Sequence, residues 1–136
     1  MKLLLLGAGG QVGWELRRSL APLGDLVACG RAEADLSDLD GLRAVVRAVK
    51  ADVIVNAAAY TAVDKAESEP DAAMLINATA VGLLAEEAAR TNTLLVHYST
   101  DYVFDGKKSG AYVESDTASP VSRYGASKFQ GEEAMR

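Results

Sequence analysis

The chain has 136 residues, 49% of them apolar and 24% charged, which suits one globular domain with a real core. Nineteen acidic residues against 14 basic ones leave a net charge of -5, which speaks against nucleic acid or an anionic membrane surface as the main partner. Cys29 is the only cysteine, so no internal disulfide and no cysteine metal cluster can form, and no apolar run approaches the ~18 residues of a membrane span.

Met1–Leu6 has the apolar look of a secretory leader, but Gly7, Gly9 and Gly10 interrupt it. Leu3–Leu6 therefore reads as a strand buried on both faces, and the chain is expected to be cytosolic. Gln11–Leu20 follows as a helix stopped by Pro22 and Gly24, then Leu26–Cys29 as a short second strand. Asp38 is placed to N-cap a helix running to about Lys50, with Leu39, Leu42, Val45, Val46 and Val49 as its apolar stripe. Asp52–Val55 is the third strand. Glu69-Pro70-Asp71 opens a long helix to about Arg90, and Leu94–Tyr98 is the fourth strand. Asp105–Ser119, rich in Gly, Ser, Lys and Asp, is a surface loop. A last helix starts near Val121 and runs toward Arg136.

Apolar bursts alternating with helical periods predict an α/β fold, a Rossmann-type doubly wound parallel sheet. Right-handed crossovers from a central first strand give the expected order 3-2-1-4. Such a domain normally has about six strands, and four are visible. Residues 1–136 are accordingly expected to be an incomplete dinucleotide-binding domain, either the N-terminal part of something longer or a domain whose remainder is absent.

Gly7-Ala8-Gly9-Gly10-Gln11-Val12-Gly13 occupies the first strand-to-helix junction. The spacing that fits is Gly7-x-x-Gly10-x-x-Gly13. Gly7 permits the sharp turn, Gly10 lets the backbone approach a pyrophosphate, and Gly13 allows close helix–sheet packing. The helix N-terminus then offers free N–H groups to a phosphate. A plain turn has the same composition, so the position after the first strand is what makes the reading. At the end of the second strand the chain reads Ala28-Cys29-Gly30-Arg31, without the acid that usually selects NAD. Arg31 can pair with a 2′-phosphate, which tilts the expectation to NADPH over NADH; a solvated surface arginine is the plainer reading.

Tyr124 and Lys128 are four residues apart on the last helix and project from one face, one turn apart. Thr100, just after the fourth strand, can meet them across a pocket. The trio Thr100, Tyr124 and Lys128 suits proton transfer to a carbonyl oxygen, so a reductase is the leading hypothesis. Singly, each has a simpler explanation: an exposed helix face for the pair, a turn or cap for Thr100. His97, the only histidine, lies inside an apolar strand without a ligand partner at metal spacing and reads as structural. Ser99 lacks a nucleophile-elbow context.

Gly10–Leu16, Asn56–Glu67, Ser99–Gly106 and Tyr124-Gly125-x-x-Lys128 together resemble the extended branch of the short-chain dehydrogenase/reductase family, over the whole chain. The resemblance implies that Gly10, Gln11 and Val12 touch the cofactor, with Asp35 and Leu36 by the adenine and Ala59, Tyr60 and Thr61 on the adenosine side. It implies Lys128 on the nicotinamide ribose, Tyr124 as proton donor and Thr100 on the carbonyl oxygen, with Asp101 and Tyr102 as substrate neighbours. The implied substrate is a dTDP-linked 4-keto-6-deoxyhexose, whose C4 ketone is reduced with NADPH to give dTDP-L-rhamnose. Tyr60 departs from a histidine often found there, and Gly30 from an acid that some members carry. In some relatives a glutamate near Glu15 binds Mg²⁺ at a homodimer contact; the simplest reading of Glu15 is a solvated carboxylate. Two other readings share these motifs: a sugar-nucleotide epimerase or dehydratase with tightly held NAD, and a non-catalytic subunit like the regulatory partner of methionine adenosyltransferase.

Overall fold

A computed structural model describes the whole chain, Met1–Arg136. Four strands, β1 (Lys2–Leu6), β2 (Asp25–Cys29), β3 (Val53–Asn56) and β4 (Leu94–His97), form one sheet in which every pair is parallel. Helices cover both faces, as a doubly wound sheet requires. Along β1 the side chains alternate. Leu4 and Leu6 join Ile54, Leu42 and Val46 of α2 (Leu39–Val49), and Leu83 and Leu84 of α5 (Ala80–Thr91), in the larger core. Leu5 points the other way, toward Val55 and the α1 (Gln11–Leu20) residues Leu16 and Leu20. Leu3 to Leu6 are all buried, and full burial is worth roughly 1.5–3 kcal/mol for each side chain.

The order of neighbours is β2-β1-β3-β4. The first strand is internal, as expected, but the strand at Val53–Asn56 lies against β1 rather than outside β2. Burial explains the difference. Ile54, Val55 and Asn56 are all buried, which needs a strand on each side, whereas Asp25 and Ala28 of β2 are exposed and suit an edge.

Asp38 caps α2 by accepting the Gly41 N–H at 3.0 Å, and the helix ends on Lys50 in the left-handed conformation (φ 51). After β3 comes a short helix, α3 (Val63–Ala66), that the sequence pattern did not signal. The long helix then runs from Pro70 to Thr91, as α4 (Pro70–Met74), a π turn (Leu75–Thr79) and α5. By length and composition this 22-residue stretch could cross a membrane, but half of its most apolar window is already buried inside the protein. Between α2 and α5 the buried Glu87 carboxylate accepts from Arg43, Arg47 and Arg90 at 2.6–3.2 Å. Those three guanidinium groups hold its carboxyl far below the usual range.

The last helix, α6 (Arg123–Glu133), begins two residues later than Val121; Ser122 caps it by accepting the Gly125 N–H. It packs on α3, α4, the π turn and a 3-10 turn at Asp101–Val103. Residues 105–119 form a loop held by stacking of Phe104 on Tyr112 and by the Lys108–Asp116 ion pair at 2.6 Å.

Candidate active site

In an open parallel sheet the ligand crevice lies beyond the carboxyl ends of the strands, and the expected site residues gather there. A cavity of about 720 Å³ is lined by Gly7, Gly10, Gln11, Val12, Arg31, Leu36, Ala59 and Thr61 from that set, together with Gly9, Ala34, Ala57, Ala58 and Ile76. The wall is made mostly of glycine, alanine and backbone, which leaves room for a ligand close to the chain.

Gly7 has φ +79 and passes close enough to the segment after β3 that a Cβ would lie 2.6 Å from the Ala58 nitrogen. Only glycine meets both conditions. Gly13 does not line the cavity; a Cβ there would overlap the Gly7 carbonyl oxygen, so it sets how closely α1 approaches the turn. Gly10 is the N-cap of α1, in extended conformation, and no side chain caps the helix. The first N–H groups of α1 therefore remain available to an anion. With the cavity, these features fit a dinucleotide held by its pyrophosphate.

At the end of β2 the structure adds a carboxylate that the strand sequence lacks. Glu33 folds back and its Oε2 accepts the Gly30 N–H at 2.8 Å. Arg31 donates to Asp35 at 3.1 Å, and Asp35 also accepts from the Ser37 N–H and hydroxyl. Those bonds, Ser37 first, lower the Asp35 carboxyl to about 2. Asp35 itself is outside the cavity lining, turned to Arg31 and Ser37. Tyr60 is outside it as well: its phenol donates to Glu69 at 2.8 Å. Its backbone N–H and carbonyl are both held by the amide of Asn77, at 2.8 and 3.0 Å.

Lys128 is 2% exposed. From α6 its Nζ reaches the end of β4, lying 3.1 Å from His97 Nε2 and donating to the Tyr98 carbonyl. His97 Nδ1 lies 3.1 Å from Asn56 Nδ2, and Asn56 Oδ1 accepts the Ala58 N–H at 3.1 Å. A continuous chain of polar contacts thus joins Ala58 in the cavity wall to Lys128. Burial lowers the Lys128 ammonium to about 8, against a smaller opposing effect of Glu132. Burial, and then the charge of Lys128, lowers His97 to about 4.

Thr100, Tyr124 and Lys128 do not line the cavity, and no hydrogen bond joins Thr100 to Tyr124. The Thr100 hydroxyl accepts the Tyr102 N–H at 3.2 Å and so caps the 3-10 turn. Tyr124 is half-buried, and its ring meets Tyr102 edge-on with centroids 5.5 Å apart. A Cβ on Gly125 would overlap the Tyr102 carbonyl, so the glycine after Tyr124 lets α6 press against that turn. Asp101 and Tyr102 are exposed.

The sequence reading named Asn56 only as the start of a motif and gave no role to its side chain or to Asn77, both fully buried. A lone asparagine in an apolar stretch is the available signal, because it must find partners for its amide. Glu15 pairs with Arg18 at 2.7 Å, and no group of three or more His, Cys, Asp or Glu side chains is placed to hold a metal ion.

The whole chain, residues 1–136, matches the family model described as the RmlD substrate binding domain. It is 58% identical over 135 residues to a dTDP-4-dehydrorhamnose reductase of Burkholderia thailandensis, covering 99% of this chain and 45% of the relative. It is 49% identical over 144 residues to the dTDP-4-dehydrorhamnose reductase of Escherichia coli K12, covering 100% of this chain and 47% of that one. Among solved structures, dTDP-4-dehydrorhamnose reductase from Bacillus anthracis in complex with NADP superposes with a TM-score of 0.93 at 35% identity, covering 98% of this chain and 48% of that one. The chain therefore spans about half the length of the curated relatives it matches. The match runs over the whole of residues 1–136, and the chain belongs to the RmlD substrate-binding domain family.

Proposed function

We propose that residues 1–136 are the dinucleotide-binding part of an NADPH-dependent reductase. Its substrate is a dTDP-linked 4-dehydro-6-deoxyhexose, whose C4 ketone becomes the alcohol of dTDP-L-rhamnose, and its setting is the cytosol. The observation that carries this reading is the contact chain from Ala58 in the cavity wall through Asn56 and His97 to Lys128. It links the lysine of the Tyr–Lys pair to the cavity wall beside the glycine turn, which supports the reading. The names of the relatives and the NADP in the Bacillus anthracis structure supply the substrate class and the cofactor.

The pyrophosphate is assigned to the free N–H groups at Gln11 and Val12, and the adenosine to the small-residue wall at Ala59 and Thr61 near Leu36. Reduced nicotinamide, when bound, supplies the hydride. This chain supplies the proton. Tyr124 donates it to the alkoxide at C4, Thr100 holds that oxygen, and Asp101 and Tyr102 flank the sugar nucleotide. Lys128 spends two of its contacts on His97 and the Tyr98 carbonyl, leaving a third for the ribose of the dinucleotide. NADH is the second reading of the cofactor, favoured by Glu33 at the end of β2, since a carboxylate there suits free ribose hydroxyls and repels a 2′-phosphate. The test is loss of NADPH absorbance by the full-length protein on addition of the 4-keto sugar nucleotide, with the product identified by mass spectrometry. No reduction of that substrate with either cofactor rejects the reading.

A further inference from the structure

The polar chain behind Lys128 has a direction. Its first donor, the Ala58 N–H, cannot change, so Asn56 must turn Oδ1 toward it and present Nδ2 to His97. Asn56 Nδ2 is a donor, so His97 Nδ1 must accept and the ring proton belongs on Nε2. There it faces Lys128 Nζ at 3.1 Å. For that contact to be a hydrogen bond, Nζ must offer a lone pair. An ammonium has none: all its positions are donors.

The charged alternative cannot satisfy every member. With Lys128 protonated, His97 Nε2 must accept and the ring proton moves to Nδ1, opposite the Asn56 Nδ2 donor. Turning the Asn56 amide over relieves that contact but sets its NH₂ against the Ala58 N–H. Asn56 is 0% exposed, so its own amide cannot exchange a partner for bulk water. Each arrangement with a charged Lys128 thus holds one donor-to-donor contact, and an unsatisfied buried polar group is costly.

We propose that His97 and Lys128 form one proton-holding unit, whose basic form is a neutral Lys128 amine accepting a hydrogen bond from the Nε2–H of His97. When the unit takes up a proton from solvent, that proton goes to Nζ, and the ring keeps its single proton but moves it from Nε2 to Nδ1. His97 is then a positioning residue: as an ammonium Lys128 favours the phenolate of Tyr124, one turn away on the same face, and as an amine it does not. The other groups around α6 do not supply this control. Glu132, on the same helix, favours the ammonium, and its carboxylate accepts from Ser99. Glu67 accepts the Arg123 N–H. The remaining charged or titratable groups on α3, α4 and the 3-10 turn are Asp64, Lys65, Asp71, Asp101 and Tyr102, all exposed at the surface. The lowered values of both Lys128 and His97 agree with a pair that resists charge.

The catalytic meaning rests on the reductase reading, but the test needs neither cofactor nor substrate and so stands or falls separately. His97 is the only histidine, so ¹⁵N labelling of histidine in this chain reports one ring. At about pH 9 its two nitrogens are expected to show a bare Nδ1 and a protonated Nε2, unlike the ordinary imidazole titrating near 6.5. Lowering the pH is expected to convert the ring to the Nδ1–H tautomer, with a midpoint between about 6 and about 8, without forming imidazolium. Asn56→Asp, which replaces the Nδ2 donor by an acceptor, is expected to fix the Nδ1–H tautomer at both ends of the range. A mixture of tautomers at about pH 9, one tautomer kept down to about pH 6, or an imidazolium forming near the ordinary value overturns the proposal. The wild-type spectra decide it even if the Asn56 variant does not fold.

Discussion

Asn77, in the π turn, and Ser127, on α6, meet in a 3.0 Å hydrogen bond while the same Asn77 amide grips the backbone of Tyr60. Ser127 in turn donates to the Tyr124 carbonyl at 2.8 Å. One buried side chain therefore connects the cavity-wall loop to the helix turn that carries Tyr124. Asn77→Ala leaves the Tyr60 N–H and carbonyl without partners, at a cost of about 1–3 kcal/mol for each group that stays buried. Urea unfolding should show the lower stability, and NADPH titration a weaker affinity. Loss of stability with unchanged affinity would mean that the clamp does not reach the cavity.

Tyr124→Phe keeps the ring on Tyr102 but removes the donor. In the full-length protein, turnover of the 4-keto sugar nucleotide should fall by about two to four orders of magnitude, the usual range for a general acid. Fluorescence titration should find NADPH binding nearly unchanged. Lys128→Ala should reduce both turnover and cofactor affinity. A Tyr124→Phe protein with near wild-type turnover ends the proton-donor assignment.

Cofactor preference is set against itself at the end of β2. Arg31→Ala should raise the KM for NADPH more than that for NADH. Glu33→Gln removes the negative charge beside Gly30 and should shift preference further toward NADPH. Asp35→Asn, by freeing Arg31 from its 3.1 Å partner, should act in the same direction. Equal effects of Arg31→Ala on both cofactors would remove its assignment to the 2′-phosphate.

The strands, the glycine turn and the Tyr–Lys pair were legible because each leaves a local mark. A run of four leucines, a strand-to-helix glycine spacing and a four-residue interval need no knowledge of the rest of the chain. The sheet order was not legible from such marks: it depends on which strand can afford an exposed edge, and Val53–Asn56 differs little in composition from Leu26–Cys29. His97 reads as structural while its neighbours are unknown. Its meaning comes from Asn56 and Lys128, 41 and 31 residues away. Glu33 was missed for the opposite reason: it lies three residues past Gly30, and only the turn folds it back onto the strand end.

Glu87 supplies a prediction about pH. Its carboxyl is lowered in the folded protein by Arg47, Arg90 and Arg43 from an ordinary value of 4.5. The stability it contributes is therefore complete above that value and is lost as pH falls through the lower folded one. Glu87→Gln should reduce the urea midpoint by a constant amount at neutral pH, and the gap from wild type should narrow below about 4.5. A gap that is the same at acid and neutral pH would show that charge is not what holds α2 to α5.

The π turn at Leu75–Thr79 also bears on how this fold tolerates improvement. A π turn accommodates an additional residue in the helical ladder, and its backbone bonding is poorer than that of a regular helix. Deleting one residue between Leu75 and Thr79 would straighten the Pro70–Thr91 helix and, judged by helix geometry alone, looks like an upgrade. The same edit leaves the flanking turns near their present faces, because the π turn already absorbs the additional residue, but it closes the widened turn that presents Asn77. Asn77 would leave its partners, and Gly131, where a Cβ would overlap the Asn77 carbonyl, would face a different surface. Selection for heat resistance alone should thus discover helix-regularising changes here that a selection for cofactor binding rejects, making this five-residue stretch a place to look for divergence between the two.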